Sequence, residues 1–289
     1  AVLSCTHIKI TIFRGTLNIE FRVLLEDEDG SSYEWVANFN RTGLRCTNER
    51  LVWNGQTLLK VERGVLSFYS TDGEKQSTVS GHIAFTYQGS VMSQLKEGQL
   101  SKPIRSFIQF FRNLHALDML SPEQLRQKTR ESKGTLGIGG ERLSAFLHEL
   151  GMEERKQLSE KLKKVYPHLE MIDTSSQRSG WKRLSIRENY NGIKLPTEAR
   201  HINDGLLRLL AIFAQLDSDQ SFLLLDEIEN GINIELVEYL MDSLVQAESQ
   251  VLVTTHSPLV LNYLDDDVAM GGVNYLYKSD DGITHAIRF

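Results

Sequence analysis

Phe222-Leu223-Leu224-Leu225-Asp226-Glu227-Ile228-Glu229-Asn230-Gly231 is an apolar run that ends in carboxylates and a turn, and Val251-Leu252-Val253-Thr254-Thr255-His256-Ser257-Pro258 repeats the form one helix later. Between them, residues 232–247 read as an amphipathic helix. Strand, helix and strand in such close succession form a βαβ unit, whose strands should be parallel neighbours. The carboxylates and His256 then emerge at one C-terminal edge, where ligands bind in open parallel sheets. There Asp226 can hold Mg²⁺ through water, and Glu227 can orient and deprotonate an attacking water. Taken alone, the same residues also suit a plain buried α/β core, with Asp-Glu as a helix cap and His256 in a loop. A third motif upstream, Asn203-Asp204-Gly205 at a helix start, tips the reading toward an ATPase.

The three motifs resemble the C-terminal half of an ABC-type ATPase, and most closely the AAA-family ATPases related to OLD proteins, abortive-infection systems and the SMC/RecF group. That family has Ser-Asp-Gly-x-x-Arg opening a helix, then Glu/Asp-Glu-x-Glu-Asn-Gly, then Thr-Thr-His-Ser-Pro. This chain has Asn203-Asp204-Gly205-Leu206-Leu207-Arg208, Asp226 to Gly231, and Thr254 to Pro258 in that order. The resemblance is strong over residues 199–289 and rests elsewhere on element order and on Gly140-Glu141-Arg142-Leu143-Ser144-Ala145-Phe146-Leu147. Asn203 stands where the family usually has Ser, and Ile228 where it usually has Pro. An Asn can still donate to a phosphate and cap a helix. The Ile removes rigidity but no chemistry.

The resemblance implies an α/β, ABC-ATPase-like P-loop NTPase fold with a parallel sheet core, an antiparallel β lobe and a helical insertion. Residues 1–289 are then one incomplete ABC-type domain: β lobe over 1–80, helical insertion over 104–172, and the core with the three motifs over 181–289. No Gly-x-x-x-x-Gly-Lys-Ser/Thr occurs in these residues. The run Gly134-Thr135-Leu136-Gly137-Ile138-Gly139-Gly140 lacks the Lys-Ser/Thr and reads as a flexible loop before a helix. Because the chain opens at Ala1 in what the family places after the P-loop helix, the expectation is a fragment whose P-loop segment lies outside it; a degenerate ATPase that binds no nucleotide is the other reading.

The resemblance also assigns roles. Asp226 would hold the Mg²⁺ shell, with Gln88 as the family's Mg²⁺-sensing glutamine. Glu227 would be the general base, and His256 would contact the γ-phosphate of ATP. Asn203 and Gly205 would donate to the γ-phosphate held by a second subunit, since a helix start with free N–H groups binds anions. Asp204 is awkward beside phosphate and should turn away, to cap the helix or to meet the partner's loop. Glu229, Asn230 and Gly231 would form a loop crossing the interface of a homodimer. On its own, Asn203-Asp204-Gly205 is also an ordinary N-cap.

With 40% hydrophobic and 24% charged residues the chain is an ordinary globular one, and its net charge of −6 argues against a wholly basic nucleic-acid module. Cys5 and Cys46 make no disulfide or metal framework, so a reducing cytoplasm is the default. No apolar run approaches a membrane span. Residues 8–69 alternate between polar and apolar, with turns at Asp29-Gly30, Asn54-Gly55 and Asp72-Gly73, and predict an antiparallel meander. Ile104, Phe107, Ile108, Phe111 and Leu114 fall at helical spacing, and Phe107, Phe110 and Phe111 form either a stacking surface for bases or core. Ser121-Pro122-Glu123-Gln124 reads as a capping box. Helices follow over 141–150 and 152–166, then strands over 181–190 and 193–196, and a terminal hairpin about Ser279-Asp280-Asp281-Gly282. The Lys-rich second helix is either a patch for DNA or an acidic partner, or a solvated face. The function expected is a cytoplasmic regulatory ATPase that dimerises on ATP and governs a separate effector in anti-phage defence or DNA maintenance, with DNA a further candidate partner. The competing expectation is a non-hydrolysing scaffold derived from such an ATPase.

Overall fold

The computed structural model describes residues 3–12, 17–72, 75–96, 98, 100–118, 120–218 and 222–289, with only the backbone described for 3–12, 70–72 and 75–77. The chain forms two compact units, residues 1–114 and 115–289.

The first unit is a seven-stranded antiparallel sheet with its strands in chain order. These are β1 (Leu3–Ile12), β2 (Asn18–Asp27), β3 (Ser32–Asn40), β4 (Arg45–Trp53), β5 (Gln56–Glu62), β6 (Val65–Asp72) and β7 (Lys75–His82). Asn54 and Gly55 join β4 to β5 with φ of 47° and 79°, and Trp53 faces Gln56 across the turn. Two positive φ values in a two-residue loop match the twist of the flanking strands, which is why Asn-Gly stands there. Helix α1 (Lys102–Arg112) adds its apolar stripe: Phe107 stacks on Tyr33 at 6.2 Å, and Phe111 meets Trp35 at 5.5 Å. Phe107 and Phe110 are buried, so the aromatic cluster is core and not a surface for bases. Leu114, at helical spacing in the sequence, lies beyond the α1 C-cap and begins a strand instead.

The second unit begins near β8 (Leu114–Leu117) and continues through α2 (Pro122–Leu125), α3 (Leu143–Glu149), α4 (Met152–Lys163), β9 (Leu169–Ser176), β10 (Lys182–Tyr190), β11 (Ile193–Glu198), α5 (Asp204–Leu216), β12 (Phe222–Leu225), α6 (Ile234–Val245), β13 (Gln250–Val253), α7 (Asp266–Gly272), β14 (Asn274–Lys278) and β15 (Thr284–Arg288). Its sheets run β8-β12-β13, β9-β10-β11 and β14-β15. The stretch expected as a helical insertion over 104–172 thus contains a strand, β8, that joins the core sheet, and it ends inside β9. The capping box expected at Ser121 does not form: α2 is a single turn, and the Ser121 hydroxyl donates to Glu123 Oε2 at 2.6 Å, not to the backbone. Nor is the glycine-rich run a free loop, because Leu136 is wholly buried and the Asp118 amide donates to the Ile138 carbonyl at 2.9 Å.

Helix α5 organises this unit. All its residues except Asp204 and Arg208 are buried, so it is hydrophobic around nearly its whole circumference and belongs at the centre of the core. Leu206, Leu209, Leu210 and Phe213 share one apolar cluster with Leu223 and Leu225 of β12 and with Val237, Leu240 and Leu244 of α6. Among the described residues, no helix is long and apolar enough to cross a membrane.

Candidate active site

Strands β12 and β13 pair in parallel, with Leu225 beside Val253, so the residues that follow them leave the sheet side by side. The backbone ties them together: the Thr254 amide donates to the Leu225 carbonyl at 2.9 Å, and the Ile228 amide to the Thr254 carbonyl at 3.2 Å. The Asp226 amide donates to the Leu117 carbonyl of β8 at 3.1 Å. The Thr254 hydroxyl accepts from the Glu227 amide at 3.0 Å and donates to Asp226 Oδ1. Glu227 itself has φ of 47°, in the left-handed region. Such backbone is costly for a residue with a Cβ and gathers at functional sites. His256 Nε2 lies 3.4 Å from Glu227 Oε1, and Asn230 Nδ2 donates to Glu227 Oε2 at 3.4 Å. Asp226, Glu227, Asn230 and His256 are therefore brought together as the motif order requires.

Glu229, in the loop expected to cross to another subunit, has partners of its own within this chain. Its carboxylate turns inward, accepting from the Thr255 hydroxyl at 2.7 Å and the His256 amide at 2.9 Å. Burial raises its pKa, but these bonds and one from the Ser257 amide outweigh burial and hold the carboxyl below its ordinary value. Glu229 thereby fixes the turn that carries His256.

The start of α5 lies against the same loop. Asn203 is its N-cap, with Oδ1 accepting from the amides of Gly205 at 2.9 Å and Leu206 at 3.3 Å, and from the Tyr166 hydroxyl at 3.1 Å. Asp204 does not cap: its carboxylate pairs with Arg126, which also donates to the carbonyls of Ala199 at 3.2 Å and Ile202 at 2.7 Å. The Gly205 amide is bonded within the cap. A Cβ at Gly205 would lie 3.2 Å from Asn203 Oδ1 and 3.6 Å from the Gly231 carbonyl oxygen. Gly231, with φ of 66°, leaves room for the Arg208 guanidinium, which any Cβ would overlap. Arg208 Nε is buried without a hydrogen-bond partner, and burial draws the guanidinium pKa below its ordinary value. Arg208, Asp226, Glu227 and Asn230 line a pocket of about 20 Å³, room for a single water.

Gln88 lies in the first unit, exposed between Tyr87 and Gly89. Its loop is pinned to β4: Tyr87 Oη donates to the Cys46 carbonyl at 2.7 Å, and buried Glu49 accepts from the Ser90 hydroxyl at 2.5 Å and the Val91 amide at 2.8 Å. Sequence reasoning assigned nothing to Thr254, Tyr166, Arg126 or Arg208 individually. Thr254 and Arg208 stand inside quoted motifs and could have been found there, whereas Tyr166 and Arg126 carry no local signal.

A family model described as "AAA domain, putative AbiEii toxin, Type IV TA system" matches residues 92–262, more than half of the chain. Among solved structures the chain is similar to the SmcHead bound to the C-winged helix domain of ScpA, with a TM-score of 0.54 and 13% identity, covering 94% of this chain and 74% of that one. It is also similar to the SMC head domain from Thermotoga maritima, with a TM-score of 0.47 and 10% identity over 95% of this chain and 75% of that one, a likeness that carries no further weight. At such identities the likeness speaks for the fold alone, the ABC-ATPase-like α/β fold. No curated protein sequence matches the chain.

Proposed function

The chain belongs to the AAA-domain family whose model spans its residues 92–262, and from that premise we propose that it is a regulatory ATPase that binds and hydrolyses ATP and dimerises on it. The observation that carries this reading is the cluster at the ends of β12 and β13, where Glu227 and His256 stand 3.4 Å apart beside Asp226. Glu227, on left-handed backbone just past the strand end, is the general base. His256 contacts the γ-phosphate. Asn203 donates from the α5 start to the phosphate held by a second subunit, and Asn230 and Gly231 shape the loop beside it.

Mg²⁺ and ATP suit the residues present. Asp226 is exposed, its Oδ1 takes the Thr254 hydroxyl, and no described residue bonds its Oδ2. One carboxylate completed by waters and phosphate oxygens is a usual Mg²⁺ arrangement. Among the described residues no group of three or more His, Cys, Asp or Glu could hold a metal unaided. Asp226 would hold Mg²⁺ there, and the ion would supply neutralisation of the phosphate charge. Residues 1–289 contain no Gly-x-x-x-x-Gly-Lys-Ser/Thr, and the proposal assigns no phosphate cradle among them.

The work of the ATPase is to govern a separate effector. The setting proposed is anti-phage defence or DNA maintenance; the family description names a putative toxin of a type IV TA system. The SmcHead of the similar structure is bound to a winged-helix domain, and a protein partner of that kind fits the proposal; DNA is the further candidate. The test is phosphate release from Mg²⁺-ATP and light scattering on the full-length protein. ATP-dependent dimers, with turnover that Glu227→Gln removes, support the reading. A protein that neither binds nor splits ATP is instead the non-hydrolysing scaffold, the reading favoured by the missing P-loop sequence.

A further inference from the structure

Two segments of the second unit gather cations around an exposed tryptophan. The Lys182 amide donates to the Thr129 carbonyl at 2.8 Å in an antiparallel bridge, so residues 128–130 lie beside the start of β10. Residues directly opposite one another share a face, and neighbours alternate between faces. Thr129 faces the core, its hydroxyl 3.2 Å from the Ser144 hydroxyl of α3, and Leu184 and Ile186 of β10 are buried on the same side. Lys128, Arg130 and Trp181 therefore stand on the solvent side. The Arg130 guanidinium lies 5.1 Å from the centre of the Trp181 ring. Trp181 is nonetheless 40% exposed, so the cation covers part of the indole and leaves the rest to solvent.

Arg178 joins them from the turn between β9 and β10, which the Gln177 amide closes on the Trp181 carbonyl at 2.7 Å. Lys128 Nζ donates to Gln177 Oε1 at 3.1 Å, which ties the two segments together through a neutral partner. Further along the same face, Arg183 pairs with Glu198 at 3.0 Å and Arg187 with Asp173 at 2.7 Å. Lys128, Arg130 and Arg178 are exposed and form no ion pair among the described residues, the neighbouring Glu131 included. In a chain of net charge −6, this end of the face is an uncompensated positive surface set around an open aromatic ring.

We propose that Lys128, Arg130, Arg178 and Trp181 form a docking surface for a single-stranded nucleic acid. The cations take phosphates, and an unstacked base lies on the exposed part of the indole, the combination by which single strands are bound without regard to sequence. The bases of a duplex are already stacked on one another and leave the ring unused. An acidic peptide satisfies the cations but offers the ring no π-face. The inference deepens the proposed function by placing its nucleic-acid partner, and it rests on that reading only for what docking regulates; occupancy itself needs neither ATP nor turnover.

The test is fluorescence anisotropy of a labelled oligothymidine of about 15 nucleotides with the full-length protein at low salt, in the absence of ATP. The wild type should bind, and log affinity should fall against log salt with a slope of about −2, three phosphates at roughly 0.7 each. Lys128→Gln, Arg130→Gln and Arg178→Gln should each take about 0.7 from that slope. Trp181→Ala should weaken binding roughly 5- to 150-fold, the loss of one stacked base, and Trp181→Phe should restore most of it. Should the Ala variant melt early, Trp181→Leu, which keeps apolar bulk without a ring, gives the same comparison. Oligouridine of equal length tells RNA from DNA, and binding of either sustains the proposal. It is overturned by a wild type that binds neither, by duplex bound as tightly as single strand, or by full affinity in the variants without a ring. Polyglutamate bound as tightly as the oligonucleotide also overturns it and makes the surface one for an acidic protein. None of these outcomes touches phosphate release from ATP, so the ATPase reading stands or falls separately.

Discussion

His256 Nε2 stands 3.4 Å from Glu227 Oε1, so the two side chains assigned to the same phosphate touch each other across the ends of neighbouring parallel strands. Glu227→Gln keeps the shape and the neighbour but removes the base. In the full-length protein it should retain ATP binding and slow turnover by about 10² or more, since a positioned base contributes roughly 10²–10⁴-fold. Asp226→Asn should act on a different quantity and raise the Mg²⁺ concentration needed for half-maximal ATP binding. Equal turnover in wild type and Glu227→Gln makes Glu227 a structural residue only.

The left-handed backbone of Glu227, with φ of 47°, supplies a test that involves no nucleotide. At ordinary positions Ala is more stable than Gly by roughly 0.5–1 kcal/mol, whereas at positive φ the order reverses. Glu227→Gly should therefore melt above Glu227→Ala, by about 1 kcal/mol in unfolding free energy, although both lack the carboxylate. Thermal or urea unfolding of the two variants decides it, and Ala above Gly would mean that this turn relaxes in solution.

Thr254 makes the connection between the two carboxylate residues, through the Glu227 amide at 3.0 Å and through Asp226 Oδ1. Thr254→Val keeps the shape and deletes both bonds. Because Thr254 is exposed, water replaces part of what is lost, and the expected destabilisation is about 1 kcal/mol. Turnover should fall more than stability does, since the Glu227 backbone loses its anchor. Thr254→Ser should restore both, and a Val variant with wild-type turnover would show that the turn holds without the hydroxyl.

The core of the site was legible because its signals are local. An apolar run ending in Asp226-Glu227, one helix, and a second run ending at His256 specify parallel neighbours, and Leu225 does pair beside Val253. Asn54-Gly55 marked its hairpin for the same reason, positive φ at both positions. The strand at Leu114–Leu117 escaped because Leu114 continues the i, i+3, i+4 spacing of α1 one step past its C-cap. The pairing of Tyr166 with Asn203, 37 residues apart, and of Arg126 with Asp204, 78 apart, has no periodicity to betray it. Those contacts exist only once α5 is packed in the core. The inward turn of Glu229 was missed for a related reason: its partners, the Thr255 hydroxyl and the His256 amide, belong to the next strand end.

Glu49 gives the last prediction, in the first unit. It is 2% exposed, and burial raises its pKa against the lowering effect of its bonds from Ser90 and Val91. A carboxyl with a raised folded-state pKa binds its proton more tightly when folded. Its contribution to stability is therefore full below the unfolded-state pKa and is lost as pH rises through the folded-state value. Glu49→Gln cannot titrate, yet its oxygen can still accept from Val91 and its NH₂ can donate to the Ser90 hydroxyl. Relative to the variant, the wild-type protein should thus lose stability as pH rises from the unfolded-state value, about 4.3, through the raised folded-state value. Urea unfolding of both proteins across that range measures the difference directly. A gap independent of pH would mean that Glu49 titrates alike in both states.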